Sequence, residues 1–118
     1  MGARILLVDD DRLLREVVGE YLSASQLTVD LAESGDQALE IFKPGKYRVA
    51  VIDLVMPGMN GLQLMEKIIE LDSSIYCLIM TGYPTIDSAY KAMVDGVSDY
   101  IIKPFQLSEL LETIQKYI

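Results

Sequence analysis

The chain is punctuated by short, nearly continuous apolar runs, and four of them stop on a residue able to carry chemistry. Arg4 to Val8 reads R-I-L-L-V and stops on Asp9-Asp10-Asp11. Val49 to Ile52 stops on Asp53, Ile75 to Met80 on Thr81, and Tyr100 to Ile102 on Lys103. Short runs of branched and apolar residues without polar alternation suit strands buried on both faces. A further run, Leu27 to Leu31, alternates more and predicts a second strand between the first two.

The intervening segments have helical spacing. From Arg12 to Ala24 the apolar residues fall at Leu14, Val17, Val18, Tyr21 and Leu22, and the aspartates before them can cap the free N–H groups. Ser34 predicts an N-cap for a helix to Lys43, with Ala38, Leu39 and Phe42 inward and Pro44-Gly45 as the stop. After a loop with Pro57, Gly58 and Gly61, residues Asn60 to Leu71 are helical. Thr85 to Val94, capped by Gly96, and Ser108 to Tyr117 complete the set. Five strands alternating with five helices predict an α/β fold, a parallel sheet covered on both faces. The 118 residues fit a single domain spanning 1–118.

Composition narrows the function. There are 18 Asp plus Glu against 10 Lys plus Arg, a net charge of −8 and no histidine. Without histidine there is no histidine general base, no Ser-His-Asp triad, no histidine metal ligand and no phosphohistidine on this chain. One cysteine, Cys77, rules out an internal disulfide framework and a cysteine zinc cluster, and predicts a reduced, cytoplasmic setting. The acidic balance argues against nucleic acid binding. No apolar run reaches the about 18 residues of a membrane span. Met1-Gly2-Ala3-Arg4 leads into an apolar stretch too short for a signal peptide.

In open α/β sheets, ligands bind at the carboxyl ends of the strands. Those ends gather Asp9, Asp10, Asp11, Asp53, Thr81 and Lys103. Close carboxylates repel, and a hard divalent cation removes the conflict. Magnesium favours one or two carboxylates, several waters and a phosphate oxygen. With a lysine and a hydroxyl beside it, such a set suits a phosphoryl group in transfer. A carboxylate not wholly engaged by the metal can attack as nucleophile and form an acyl phosphate. Any one strand-end aspartate reads equally well as a helix cap, and Asp11 reads better as a cap than as a ligand.

The segments L-L-V-D-D-D at 6–11, V-I-D-L-V-M-P-G-M-N-G at 51–61, I-M-T-G-Y at 79–83 and D-Y-I-I-K-P-F at 99–105 make the chain resemble the receiver domain of two-component response regulators. The likeness covers essentially the whole length. Residues 81–93 are most similar to receivers of the nitrogen-regulator type. The resemblance implies a (βα)5 doubly wound three-layer sandwich, flavodoxin-like, with strand order 2-1-3-4-5. It implies Mg2+ as cofactor, and transfer of a phosphoryl group to Asp53 from a sensor histidine kinase or histidine phosphotransfer protein. Such a domain promotes its own phosphorylation and dephosphorylation and is a signalling phosphoacceptor, not a conventional enzyme.

Matched motif by motif, Asp9 and Asp10 resemble the acidic pair at the metal, Asp10 directly and Asp9 through water. Asp53 takes the phosphoacceptor position and also touches the metal. Val55 stands where the family offers a backbone carbonyl ligand. Thr81 and Lys103 match the hydroxyl and the lysine that meet the phosphoryl group, and Thr81 and Tyr100 match the switch pair. Lys103-Pro104 is where the family carries a cis peptide. The surface expected to change is the helix Thr85–Val94, strand five and the helix Ser108–Tyr117, acting on an output domain or effector outside this chain, with phosphorylation-dependent homodimerisation as one outcome. Neither membrane nor nucleic acid is an expected partner.

Other residues have plainer readings. Gly58 and Gly61 suit turns. Met56, Met59, Met65, Met80 and Met93 suit core or loop filling, and Cys77 a small buried position. Leu13 and Val17 fall at the outer edge of the first helix, where they suit docking of a kinase helical domain or ordinary surface scatter. Val55 and Tyr83 offer no carboxylate or amide to position a hydrolytic water, which predicts slow self-dephosphorylation. Asp9-x-Asp11 is also similar to haloacid dehalogenase-like phosphatases, but Leu13 stands where they carry Thr or Val, and there is no capping domain. A flavodoxin-like electron carrier would need a Ser/Thr/Gly-rich phosphate loop after the first strand. A receiver used only as a binding module would not need the full set of site residues.

Overall fold

The computed structural model describes residues 3–82 and 96–118. Its elements run β1 (Arg4–Val8), α1 (Arg12–Ala24), β2 (Thr28–Ala32), α2 (Gly35–Ile41), β3 (Val49–Asp53), α3 (Gly61–Leu71), β4 (Tyr76–Thr81), β5 (Asp99–Ile102) and α4 (Leu107–Gln115). The five strands form one parallel sheet in the order β2-β1-β3-β4-β5. The expected α/β architecture and strand order are therefore present. The expected helix at 85–94 lies outside the described residues, as do Tyr83 and Met93.

Continuous apolar strands follow from burial on both faces. Leu6, Val8, Ala50, Ile52, Cys77 and Ile79 pack with Ala38 of α2 and Leu64, Met65 and Ile68 of α3. Their alternate neighbours, including Ile5, Leu7, Val49, Val51, Leu78 and Met80, pack with Val18 and Leu22 of α1 and Leu110 and Ile114 of α4. The side-chain period of two divides each strand between two cores, so β1, β3 and β4 are buried on both faces beyond Arg4 and Tyr76 at their starts. Cys77 sits in the first core, and burial, with the nearby Asp72, pushes its thiol up to about 12. Met56, Met65 and Met80 are likewise buried.

Helix starts carry the caps that the residues imply. The Asp11 side chain accepts from Leu14 N, Ser34 from Gln37 N, and Asn60 forms a reciprocal capping box with Gln63. Boundaries differ from the sequence pattern by a residue or two. The α2 helix stops at Ile41 rather than Lys43. Phe42 is already extended two residues before Pro44, and its ring is buried against Tyr47 at 5.9 Å between centroids. β2 starts at Thr28 because Gln26 takes a left-handed turn at φ 72° after α1. The last helix closes at Gln115, beyond which Tyr117 packs on Tyr76 and its hydroxyl donates to Ser98 O at 2.8 Å.

A polar cluster ties the sheet edge together. Tyr47 Oη donates to Asp30 at 2.7 Å, Arg4 donates to the same carboxylate at 3.1 and 3.2 Å, and Lys46 lies 3.5 Å away. Burial alone would raise the Asp30 carboxyl, but these partners outweigh it and hold it below the usual 3.8. A lowered folded value stabilises the protein above pH 3.8, and the gain fades as pH falls through the folded value. Asp30→Asn should therefore melt earlier than wild type at pH 7, with the gap closing below about pH 4. Tyr47→Phe should cost about 1 kcal/mol at pH 7. Thermal melts across pH check both.

Candidate functional site

Sheet register sets the site. Val8 lies opposite Ile52, so the next residues, Asp9 and Asp53, emerge level from the two central strands. Asp53 lies opposite Met80, and Thr81 opposite Ile102, so Thr81 and then Lys103 follow along the same edge. The turn after β3 holds Asp53 from below. Gly61 N donates to Leu54 O at 2.9 Å, and a Cβ on Gly61 would collide with the Asp53 carbonyl. Gly61 thus permits a close backbone approach, whereas Gly58, at φ 73°, serves the turn.

The side chains converge. Carboxylate oxygens of Asp9, Asp10 and Asp53 lie within 4.8 Å of one another. Asp9 and Asp53 are buried and Asp10 is exposed. Lys103 Nζ donates to Asp9 Oδ2 at 2.8 Å and to Asp53 Oδ1 at 3.2 Å. Thr81 is buried beside them, and its carbonyl accepts Lys103 N at 2.7 Å. The Lys103-Pro104 peptide is cis. Asp11 turns away to cap α1, which settles its role among the three aspartates.

Electrostatics follow from three carboxylates facing one ammonium. Burial, then the charge of Asp9, pushes the Asp53 carboxyl up to about 6, against the pull of Lys103. Burial would push the Lys103 ammonium down, but Asp9 and Asp53 outweigh it and hold its value above the usual 10.5. The all-oxygen donor set, crowded and short of positive charge, fits a hard divalent cation.

Other expected residues surround this pocket. Val55 is exposed in the β3–α3 loop. Tyr100 is partly buried on β5 against the α2–α3 side of the sheet, and its hydroxyl has no hydrogen-bond partner among the described residues. Leu13 and Val17 are exposed on α1. Val17, Leu14, Phe105 and Leu107 help line an apolar groove of about 560 Å3 that reaches Gly82 and Lys103. One contact has no signal in the sequence: Arg15 Nη1 donates to the Asp9 carbonyl at 2.8 Å. A single arginine on a helix reads as a solvated charge.

The response regulator receiver domain model matches residues 5–115, and the chain belongs to that family. The response regulator protein FleR of Pseudomonas aeruginosa is 34% identical over 117 residues, covering 99% of this chain and 25% of that protein. The response regulator MprA of Mycobacterium ulcerans is 35% identical over 111 residues, covering 94% of this chain and 48% of that protein. The chain thus spans a quarter to a half of these relatives. A CheY-like receiver domain protein from Methanospirillum hungatei superposes with a TM-score of 0.93 at 28% identity, covering 98% of this chain and 93% of that one.

Because the folded value of Asp53 lies above its usual 3.8, the folded state keeps a proton that the unfolded state has lost between about pH 4 and 6. Metal-free stability should fall as pH rises through that window, with the full cost present above it. Asp53→Asn should raise the stability of the metal-free protein at pH 7 by on the order of 2 kcal/mol and change little at pH 4. Denaturant unfolding at both pH values checks the sign.

Proposed function

We propose that the domain accepts a phosphoryl group on Asp53 from the phosphohistidine of a sensor histidine kinase or histidine phosphotransfer protein, with Mg2+ as cofactor. The observation that carries this reading is the convergence of Asp9, Asp10 and Asp53 with Lys103 in a chain of the receiver family. Asp10, Asp53 and the Val55 carbonyl would hold the metal directly, and Asp9 through water. When bound, the cation supplies positive charge to the carboxylates and the phosphoryl oxygens.

The chain's own groups do the rest. An ionised Asp53 oxygen attacks phosphorus. The new O–P bond forms as the donor's N–P bond breaks, and the imidazole leaves with the electron pair and later takes a proton from solvent. Lys103, already between Asp9 and Asp53, meets one phosphoryl oxygen, and the Thr81 hydroxyl meets another. The gain of about −1.5 to −2 in charge draws Thr81 toward the new oxygens. Tyr100, whose hydroxyl lies buried beside this edge, then changes its packing and biases the face formed by residues 85–94, β5 and α4. That face acts on an output domain or effector, or on a second copy of the chain. The groove at Leu14, Val17 and Phe105, with exposed Leu13 beside it, supports docking of the kinase helices. A cytoplasmic setting suits the buried, protonated Cys77 thiol.

Acetyl phosphate with Mg2+ should label Asp53, as located by peptide mass mapping. Asp53→Asn should abolish the label at this site, and a chelator should prevent it; labelling elsewhere in Asp53→Asn at the wild-type rate would contradict the assignment. Hydrolysis should be slow, since exposed Val55 has no group to position water. Val55→Asn with Tyr83→Ala should shorten the phosphoryl lifetime, measured as loss of label after donor removal.

A further inference from the structure

We propose that Arg15 is a positioning residue for the acidic pocket: it fixes the Asp9–Asp10 peptide so that the Asp10 carboxylate faces Asp9 and Asp53. The inference rests on the pocket's being a cation site. It concerns what keeps that site assembled.

Every polar atom of Asp9 is engaged. Its N–H donates to Ala32 O at 3.2 Å, Oδ1 accepts Asp11 N at 2.9 Å, Oδ2 accepts Lys103 Nζ at 2.8 Å, and the carbonyl accepts Arg15 Nη1 at 2.8 Å. Asp10 differs. It is exposed, and among the described residues its carboxylate has neither a hydrogen bond nor an ion pair. Backbone must therefore place it. The Asp9 carbonyl and the N–Cα bond of Asp10 share one rigid peptide plane. Gripping the carbonyl oxygen orients that plane and with it the departure of the Asp10 side chain.

Arg15 is not an ordinary surface arginine. Its side chain is 14% exposed, against 83% for Arg12, which forms a simple i,i+4 pair with Glu16. A cation so far withdrawn from water needs partners. Its other contact, Glu33 at 3.9 Å, is with a carboxylate 65% exposed, and such a pair contributes little. The short bond to the Asp9 carbonyl remains. It sets a permanent positive charge on α1 behind a pocket with surplus negative charge, and ties the first turn of α1 to the end of β1.

Calorimetric titration with Mg2+ of wild type, Arg15→Met, Arg15→Lys and Tyr47→Phe tests this. The methionine keeps the aliphatic stem without the donor. Tyr47→Phe removes a stabilising bond to Asp30 from a residue that precedes the start of β3, whereas Asp53 ends that strand. Arg15→Met should weaken Mg2+ binding by about ten-fold or more, Arg15→Lys should recover part of the loss, and Tyr47→Phe should bind as wild type. If Arg15→Met does not fold, Arg15→Leu carries the same comparison, again without a donor. Unchanged affinity in the Arg15 variants, or an equal loss in Tyr47→Phe, would overturn the positioning role and leave the cation site standing. A wild type that binds no Mg2+ would overturn both.

Discussion

The arrangement around Lys103 is the constraint from which the rest of this molecule follows. One ammonium bridges two buried carboxylates, and a third, exposed carboxylate stands beside them. Burying charges is costly unless they are paired, and here the pairing is deliberately short by at least one positive charge. A domain that folded only for stability would not keep Asp9 and Asp53 together at the end of its central strands. The excess charge is what the proposed cation and phosphoryl chemistry would draw on.

The parallel sheet makes that concentration achievable. Its strands are apolar on both faces, so polar groups are expelled to the strand ends, and register brings four of those ends level. Helix starts then serve as braces. Asp11 caps α1 and leaves Asp9 and Asp10 to the pocket, while Gly61 lets α3 begin against the Asp53 backbone. The same two cores that stabilise the sheet hold the strand-end side chains in place, which links packing directly to the preorganisation the proposed chemistry needs.

Much of this was legible in residue order. Apolar runs without alternation mark the buried parallel strands, and the residues that end them, Asp9, Asp10, Asp53, Thr81 and Lys103, are those the sheet edge brings together. Caps were legible where the side chain itself bonds the helix, as at Asp11 and Ser34, whereas Asn60 reads as a helix residue and proves to be the cap. Less legible were features decided by tertiary contact. Gln26 takes a left-handed conformation without being glycine, Phe42 leaves its helix early to stack on Tyr47, and Arg15 reaches back to a carbonyl that no motif advertises. Gly61 was readable as a turn residue, but its closeness to Asp53 emerges only when α3 is docked.

The central claim is that Asp53 sits in a pocket whose surplus negative charge is relieved by a cation. Carbon-13 NMR of the Asp53 carboxyl across pH tests it directly. In metal-free protein the group should titrate near 6, well above an ordinary aspartate, and saturating Mg2+ should move the transition downward. Titration near 4 with no response to Mg2+ would contradict the account.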